Sequence, residues 1–265
     1  MVKKMLLSLA LVVALVPFTL AQRVPSNLAQ HELSRPQPPV LSQHVVSHDT
    51  DTAPSYCKPC LAYGGDFDPN DPNANGLANW NTVVAGEAEV WVPFVVPAGK
   101  TATVTGMFVN TLATIGVIDP ATTPWSIQAR IKPGTPGKII ASGTATATIN
   151  PTGRNGFGLN EYTVLVKLDK GVTLKGDGQT AYWFDLVPQC TNGSDNNCNA
   201  GAIYYESDTE AVRANHGGLS EPNDLSYFNS AFFGVTYLNT DPQSGGCNGI
   251  GCDRFSMGLL GKVNQ

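Results

Sequence analysis

The stretch WSIQARIK, residues 125–132, alternates apolar and polar side chains without interruption. Its apolar residues occupy every second position: Trp125, Ile127, Ala129 and Ile131. A two-residue period is typical of a half-buried strand, because successive side chains point to opposite faces of a sheet. The segment EYTVLVKL, residues 161–168, repeats the pattern with Tyr162, Val164, Val166 and Leu168 directed inward. Both stretches predict β-structure.

Seven further segments have the composition of strands: residues 87–96, 101–110, 138–149, 181–188, 202–207, 230–238 and 254–260. Turn sequences rich in Pro, Gly, Asn and Asp separate them, and no long window keeps a helical period with caps. About nine strands over roughly 210 residues predict an all-β domain, residues 56–265. The expected architecture is a two-sheet antiparallel sandwich, jelly-roll-like in its topology.

The first 21 residues have the three parts of a secretory signal peptide: a basic start at Lys3 and Lys4, an apolar run, and a small-residue exit ending at Ala21. The apolar run of about a dozen residues is shorter than the roughly 20 that a membrane-spanning helix needs. Residues 22–55 are polar and punctuated by proline, which predicts a tether. We therefore expect export to the cell surface or the extracellular space, with the periplasm as an alternative and no membrane span.

Charge and composition narrow the class of partner. Without Lys3 and Lys4 the chain has 14 basic and 21 acidic side chains, a net charge of −7. This balance argues against nucleic acid, which is bound through basic patches. Only 14% of residues are charged, while Gly, Pro, Thr and Asn are plentiful. Such a composition is typical of β-rich extracellular proteins.

Six cysteines fall into three local pairs: Cys57 with Cys60, Cys190 with Cys198, and Cys247 with Cys252. In an oxidising compartment an even count predicts disulfides, and we expect these local pairs among the 15 arrangements that six cysteines allow. The Cys57–Cys60 spacing also occurs in redox dithiols and half zinc sites. No βαβ setting supports the redox alternative. The nearest histidines for a zinc site, His44 and His48, lie in the tether.

The segment GGDFDPNDPNANGLANWNT, residues 64–82, is rich in oxygen-bearing side chains. From Asp71 their spacing matches the first half of a calcium loop, with Gly76 at the sharp turn, but Thr82 replaces the final glutamate. A structural calcium site here would use Asp66, Asp68, Asn70, Asp71, Asn73, Asn75 and Asn79. An ordinary surface loop is the simpler interpretation, because the same residues favour turns. No motif requires a cofactor.

Signs of catalysis are weak. Glu87 and Glu89 share a strand face about 7 Å apart, within the roughly 6.5 to 9.5 Å carboxylate separation of inverting glycosidases. Any solvent-facing strand with two acids gives the same spacing. His216 has carboxylates nearby in the sequence but no nucleophile motif. No catalytic residue is therefore predicted, and a secreted hydrolase is the last of our hypotheses.

The aromatic residues suggest a binding surface. Trp183 alternates with Tyr182 and Phe184, and Tyr204 is followed directly by Tyr205, so one member of each set faces away from the main core. An exposed Trp or Tyr can stack on a sugar ring. Trp183, Tyr204 and Tyr205 are thus candidate contacts for an extracellular polysaccharide. Loops that cover both sheet faces would be the alternative.

Residues 39–48, PVLSQHVVSH, have a strand-like composition within the tether. Such a segment can add to the sheet edge of a neighbouring subunit. Self-assembly through residues 39–48 is therefore a second hypothesis, with a plain spacer as the simpler alternative.

Several segments, among them residues 89–110, 125–131, 139–168, 181–190 and 246–255, together resemble a group of exported bacterial β-sandwich proteins of unassigned function. The resemblance covers most of residues 56–260. It implies a β-sandwich ectodomain and carries no catalytic motif. The leading expectation is a non-catalytic exported protein that binds a cell-surface or extracellular partner.

Overall fold

The computed structural model describes residues 56–57, 60–66, 76–82, 86–113, 118–156, 158–190, 205–207, 219, 226–231, 234–239 and 255–264, with backbone alone at residues 76–78, 80–82, 86–87 and 205–207. The predicted signal peptide and tether lie outside these residues. Within the described residues the protein is all-β and contains no helix. Accordingly, no helix among them is long and apolar enough to cross a membrane.

The described residues form sixteen strands: β1 (Cys60–Tyr63), β2 (Gly76–Ala78), β3 (Trp80–Thr82), β4 (Gly86–Val95), β5 (Thr101–Ala113), β6 (Ile118–Asp119), β7 (Thr123–Ala129), β8 (Lys138–Ala145), β9 (Ala147–Gly156), β10 (Leu159–Lys175), β11 (Ala181–Leu186), β12 (Gln189–Cys190), β13 (Tyr205–Ser207), β14 (Tyr227–Ser230), β15 (Val235–Asn239) and β16 (Met257–Asn264). Several are fragments of two to four residues, which explains why the count exceeds the predicted nine. A short fragment carries too few residues to show a period.

The strands make two sheets. The seven-stranded sheet runs β1-β16-β5-β10-β9, with β13 paired to β5 and β2 paired to β13. The nine-stranded sheet runs β6-β12-β3-β4-β11-β7-β8, with β14 paired to β4 and β15 paired to β14. Neighbouring strands in the described residues are antiparallel except β12 and β3, which are parallel. The expected antiparallel pairing is therefore confirmed with one exception.

The two sheets pack against each other over one hydrophobic core. The seven-stranded sheet contributes Val104, Met107, Val109, Val164, Val166 and Leu259, and the nine-stranded sheet contributes Val90, Val92, Phe94, Ile127 and Phe184. Val164 lies opposite Val109 on one side and Ile149 on the other. Branched apolar side chains at alternate positions of paired strands therefore build the inner face of the sheet.

The two stretches with the clearest alternation give different results. In residues 161–168, part of β10, Val164 and Val166 are buried in the core as predicted. In residues 125–132, β7 ends at Ala129, and Arg130 has a left-handed φ of 63°. This backbone turn moves Ile131 into a second cluster on the outer face of the nine-stranded sheet, so the prediction that it shares a face with Ile127 is wrong.

Residues 138–149 were predicted as one strand but are divided between the two sheets. β8 is the last strand of the nine-stranded sheet, β9 is the last strand of the seven-stranded sheet, and Thr146 alone joins them. The chain therefore changes sheets at a single residue. Small side chains such as Ala, Ser, Gly and Thr give no local signal for this change, because either face accepts them.

Candidate functional site

The outer face of the seven-stranded sheet is covered by the chain segment that enters the domain. We call residues 56–57 and 60–66 the N-terminal cover. Its disulfide, Cys57–Cys60, is buried together with Tyr63 and Phe108. The Tyr56 ring meets Phe108 edge-on, with ring centroids 5.2 Å apart. Gly258 makes room for Phe108, since a Cβ there would lie 2.2 Å from the ring.

A chain of hydrogen bonds fixes both ends of the N-terminal cover to the sheet. The Tyr56 hydroxyl donates to Thr163 Oγ1 (3.3 Å), and the Thr163 hydroxyl donates to Asn110 Oδ1 (2.6 Å). Asn110 Nδ2 donates to Ser256 Oγ (2.8 Å), whose hydroxyl donates to the carbonyl of Gly65 (2.7 Å). The Thr163 and Ser256 hydroxyls each accept one hydrogen bond and donate another, so this polar path begins at Tyr56 and ends at Gly65, both on the N-terminal cover.

An ion-pair cluster with one buried carboxylate, that of Glu161, lies beside this path. Arg154 Nε is 2.6 Å from Glu161 Oε2, and the other branch of the guanidinium is 3.1 Å from Asp66 Oδ1. The Thr152 hydroxyl also donates to Glu161 (2.6 Å), and the Tyr63 hydroxyl donates to Asp66. Arg154 thus joins a carboxylate of β10 to one of the N-terminal cover.

Burial controls the titration of this cluster. Burial raises the pKa of the Glu161 carboxyl, and the charge of Arg154 opposes that rise. Burial also raises the pKa of Tyr56 to about 12, and the hydrogen bond to Thr163 opposes this rise. Every polar group named here has a partner within the cluster, so its chemistry is that of a structural fastening.

The cluster bears on the predicted calcium site. Asp66 is bound by Arg154 and Tyr63, which already supply its carboxylate with a positive charge and a donor. Asn79 is fully buried and donates from Nδ2 to the carbonyl of Leu186 (2.9 Å). Its Oδ1 has no hydrogen-bond partner among the described residues. The other predicted ligands, Asp68, Asn70, Asp71, Asn73 and Asn75, lie outside the described residues, which contain no group of three metal-binding side chains.

The outer face of the nine-stranded sheet carries a second cluster, here called the aromatic cluster: Trp91, Trp183, Tyr227 and Tyr237 with Ile131. Trp183 faces away from the main core, as the alternation indicated. Its expected exposure is wrong, because only 4% of the residue is accessible. The hairpin of β14 and β15 covers it, with the Tyr227 ring 5.9 Å from that of Trp183.

Polar side chains surround the aromatic cluster. Glu89 accepts hydrogen bonds from Trp91 Nε1 (3.1 Å) and Asn229 Nδ2 (2.8 Å). Gln128 is buried and donates to the Tyr237 hydroxyl (3.1 Å). Glu89 is therefore a positioning group within this cluster. Glu87, its predicted carboxylate partner, lies in β4 with a side chain outside the described set.

The backbone is strained at two positions bordering the aromatic cluster. Tyr237 has φ 39° and Arg130 has φ 63°, values that bulky side chains rarely adopt. The Tyr237 carbonyl accepts a hydrogen bond from the Gly134 backbone (3.1 Å). Local contacts therefore hold this conformation in place. Strain of this kind is often concentrated at functional sites.

The structure describes some of the other predicted site residues, and the rest lie outside the described part of the chain. The Cys57–Cys60 disulfide is confirmed. Cys190 is disulfide-bonded, while its predicted partner Cys198 and the pair Cys247 and Cys252 lie outside the described residues. Tyr205 belongs to β13 by its backbone. Tyr204, His216 and residues 39–48 are also outside the described part of the chain.

One surface feature was missed by sequence reasoning. We call β8, residues 138–145, the open edge, since among the described strands it pairs with β7 alone. It carries two of the large apolar side chains exposed in the described residues, Ile139 at 60% and Ile140 at 38% accessible. Lys138 is its sole charged residue. The sequence analysis identified this stretch as part of a strand but gave no sign that its two isoleucines are exposed.

Comparison with known proteins gives no further guide to the site. No protein-family model, no curated protein and no solved structure matches this chain. The open edge and the two covered faces are therefore the features of the molecule that bear on its function.

Proposed function

We propose that this protein acts outside the cytoplasm as a non-catalytic binding and assembly module, built as a β-sandwich of jelly-roll type. The open edge is the observation that carries the proposal. An edge strand presents unpaired backbone N–H and C=O groups, and natural proteins usually protect such edges with charge, proline or a cover. Here seven consecutive residues after Lys138 are uncharged and lack proline.

Three other strands that end the sheets among the described residues, β1, β6 and β9, are covered, short, or carry proline and charge. β1 is completely buried, and β6 has two residues. β9 contains Pro151, which has no N–H to donate, and Arg154. The contrast supports the view that the open edge is a binding surface, since exposed apolar strands that lack protection associate readily.

The test is the association state of the chain from Gln22 to Gln265. Sedimentation velocity over a range of micromolar concentrations should show reversible association. Ile140→Lys should weaken it, because a lysine on the edge opposes strand pairing. Val263→Lys is the matched control, since Val263 on β16 is also 38% exposed. A chain that remains monomeric at every concentration would remove the proposal of self-assembly.

Saccharide binding is the second candidate function, and the aromatic cluster favours it. Four rings meet carboxylate and amide groups next to two strained residues, but the hairpin of β14 and β15 would have to move before a sugar could stack on Trp183. Retention of the intact protein on insoluble polysaccharide, with a change in tryptophan fluorescence, is the expected sign. Tyr204→Ala and Tyr205→Ala test the remaining candidate contacts. Absence of retention would eliminate this function.

Structural calcium near residues 66–79 belongs to the same proposal, and the unpartnered Oδ1 of Asn79 supports it. A carbonyl-type oxygen without a donor is a suitable ligand for a hard cation. Thermal unfolding in millimolar Ca²⁺ and then in chelator is the measurement. A stabilisation that is lost in Asp71→Ala is expected, and identical transitions in both buffers would exclude the site.

A further inference from the structure

We propose that residues 39–48 of a second copy of this chain occupy the open edge as an added antiparallel strand. This inference rests on the assembly function proposed above and specifies its partner. β8 is bound to β7 on one side through pairs from Thr123 with Ala145 to Ala129 with Lys138. Its other side offers a strand-length row of backbone groups to an extended peptide.

The sequence of the donor segment suits this edge. Residues 39–48 contain Val40, Leu41, Val45 and Val46 and no acidic residue, lysine or arginine. Residues 139–145 are uncharged as well. Since the mature chain has an expected net charge of −7, two copies repel over most of their surfaces. A neutral segment on a neutral edge avoids that repulsion and pairs branched apolar side chains across the strands.

Charge also selects the direction of the added strand. Lys138 and Lys132 are exposed at the end of the open edge where the β7–β8 connection lies. Asp49 and Asp51 directly follow the donor segment. An antiparallel strand brings its C-terminal end to the N-terminal end of β8, which places these aspartates beside the lysines. A parallel strand would place them at the uncharged end.

A register follows from this direction. Placing His48 opposite Lys138 sets Val46 opposite Ile140 and Leu41 opposite Ala145. Asp51 then reaches the turn in which Lys132 is bridged to Thr135. Val46 thus meets the exposed Ile140, Ser47 lies opposite Ile139, and the aspartates meet the cations.

The chain's own segment could reach the open edge only with residues 49–55 almost fully extended. Tyr56 lies over β5 and β10 on the outer face of the seven-stranded sheet, while the open edge ends the other sheet. The path past β10 and β9 and across the two sheets is about 20 Å, with strands about 4.8 Å and sheets about 10 Å apart. Residues 49–55 span at most about 25 Å when fully extended. A neighbouring copy needs no such extension.

The experiment measures the association constant of the chain 22–265 by sedimentation velocity. Four forms are compared. They are the unchanged chain, the chain with residues 39–48 deleted, the variant Lys138→Glu, and the variant that combines Lys138→Glu with Asp49→Lys and Asp51→Lys. The deletion should reduce association at least about tenfold. Lys138→Glu should weaken it, and the combined charge reversal should restore it. Circular dichroism checks that each form keeps its β-structure.

The outcomes separate this inference from the proposed function. Association that is lost in Ile140→Lys but unchanged by the deletion would overturn residues 39–48 as the occupant and leave assembly through the open edge in place. Charge reversal that fails to restore association would overturn the antiparallel direction. A chain that is monomeric in every form would overturn both the inference and the assembly function. Loss with the deletion and recovery with the reversed charges would support the inference.

Discussion

The two outer faces of this protein are covered by different means. The N-terminal cover contains the Cys57–Cys60 disulfide, and it is held on the seven-stranded sheet by the pairing of β1 with β16, a path of hydrogen bonds and an ion-pair cluster. The hairpin of β14 and β15 joins the nine-stranded sheet through the pairing of β14 with β4, and on the outer face its contacts are mainly packed aromatic rings. Polar fastening is directional and depends on each partner, whereas aromatic packing depends on buried area and shape.

This difference indicates how each cover should respond to change. A polar fastening loses stability when one partner is removed, because the other partner remains buried without compensation. An aromatic cluster loses stability in proportion to the volume removed. Substitutions can therefore distinguish the two faces, and the following predictions are ordered by the expected size of their effect.

Trp183→Ala should produce the largest loss, about 3 to 5 kcal/mol of unfolding free energy, because it opens a cavity among buried rings. Urea denaturation measures the loss. Trp183→Phe keeps an aromatic ring and should lose less than half as much. If Trp183→Ala costs less than about 1 kcal/mol, the ring is not packed under the hairpin and an exposed stacking role for Trp183 would regain support.

Arg154→Met should cost about 3 kcal/mol at neutral pH, because it leaves the carboxylate of Glu161 buried without its cation. The same denaturation experiment measures this change. Adding Glu161→Gln removes the charge but keeps a group that can accept from Thr152. The double variant should therefore recover at least half of the loss. A double variant less stable than Arg154→Met would contradict the ion-pair interpretation.

Cys57→Ala with Cys60→Ala should cost about 2 kcal/mol, since the disulfide closes a loop of four residues. The effect should be confined to the N-terminal cover. Hydrogen exchange should become faster at the amides of Phe108 and Thr163 and remain unchanged at Trp183. Equal acceleration on both faces would show that the two covers unfold together.

The pH dependence of Arg154→Met should be the most gradual effect, at most about 1.4 kcal/mol per pH unit. Burial raises the pKa of Glu161 above its ordinary value of 4.5, so the folded state holds a proton that the unfolded state has released. Stability is therefore fully present below pH 4.5 and falls as pH rises through the folded pKa.

Removing Arg154 removes the charge that opposes this pKa rise, so the decline should be steeper in Arg154→Met than in the unchanged protein. Urea denaturation between weakly acidic and neutral pH measures it. The variant that also carries Glu161→Gln should lack this dependence. A decline that persists in the double variant would assign it to another group.

Features encoded by near neighbours in the sequence were predictable. The alternation of Val164 and Val166 identified the inner face of β10, and the spacing of Cys57 and Cys60 identified their disulfide. The all-β class followed from repeated patterns of this kind. Each signal depends on residues a few positions apart, which a strand or a short loop places in fixed relation.

Features created by distant contacts were not predictable. The cover over Trp183 comes from a hairpin more than 40 residues further along the chain, and Asp66 meets Arg154 across 88 positions. The exposure of Ile139 and Ile140 depends on which strands pair with β8. None of these facts leaves a trace in local periodicity. The turn at Arg130 is likewise visible only once the φ angle is known.

The N-terminal cover also decides where the domain would yield under a mechanical load. Tension carried by the chain before Tyr56 enters the domain at the hydrogen bond to Thr163. The Cys57–Cys60 disulfide comes immediately afterwards and cannot be extended, so it passes the load to β1 and its pairing with β16. The ion pair of Asp66 with Arg154 comes after β1 along the chain, so it would bear the load only once that pairing had broken. A pull on the chain before Tyr56 would therefore meet successive anchors before it reached the core.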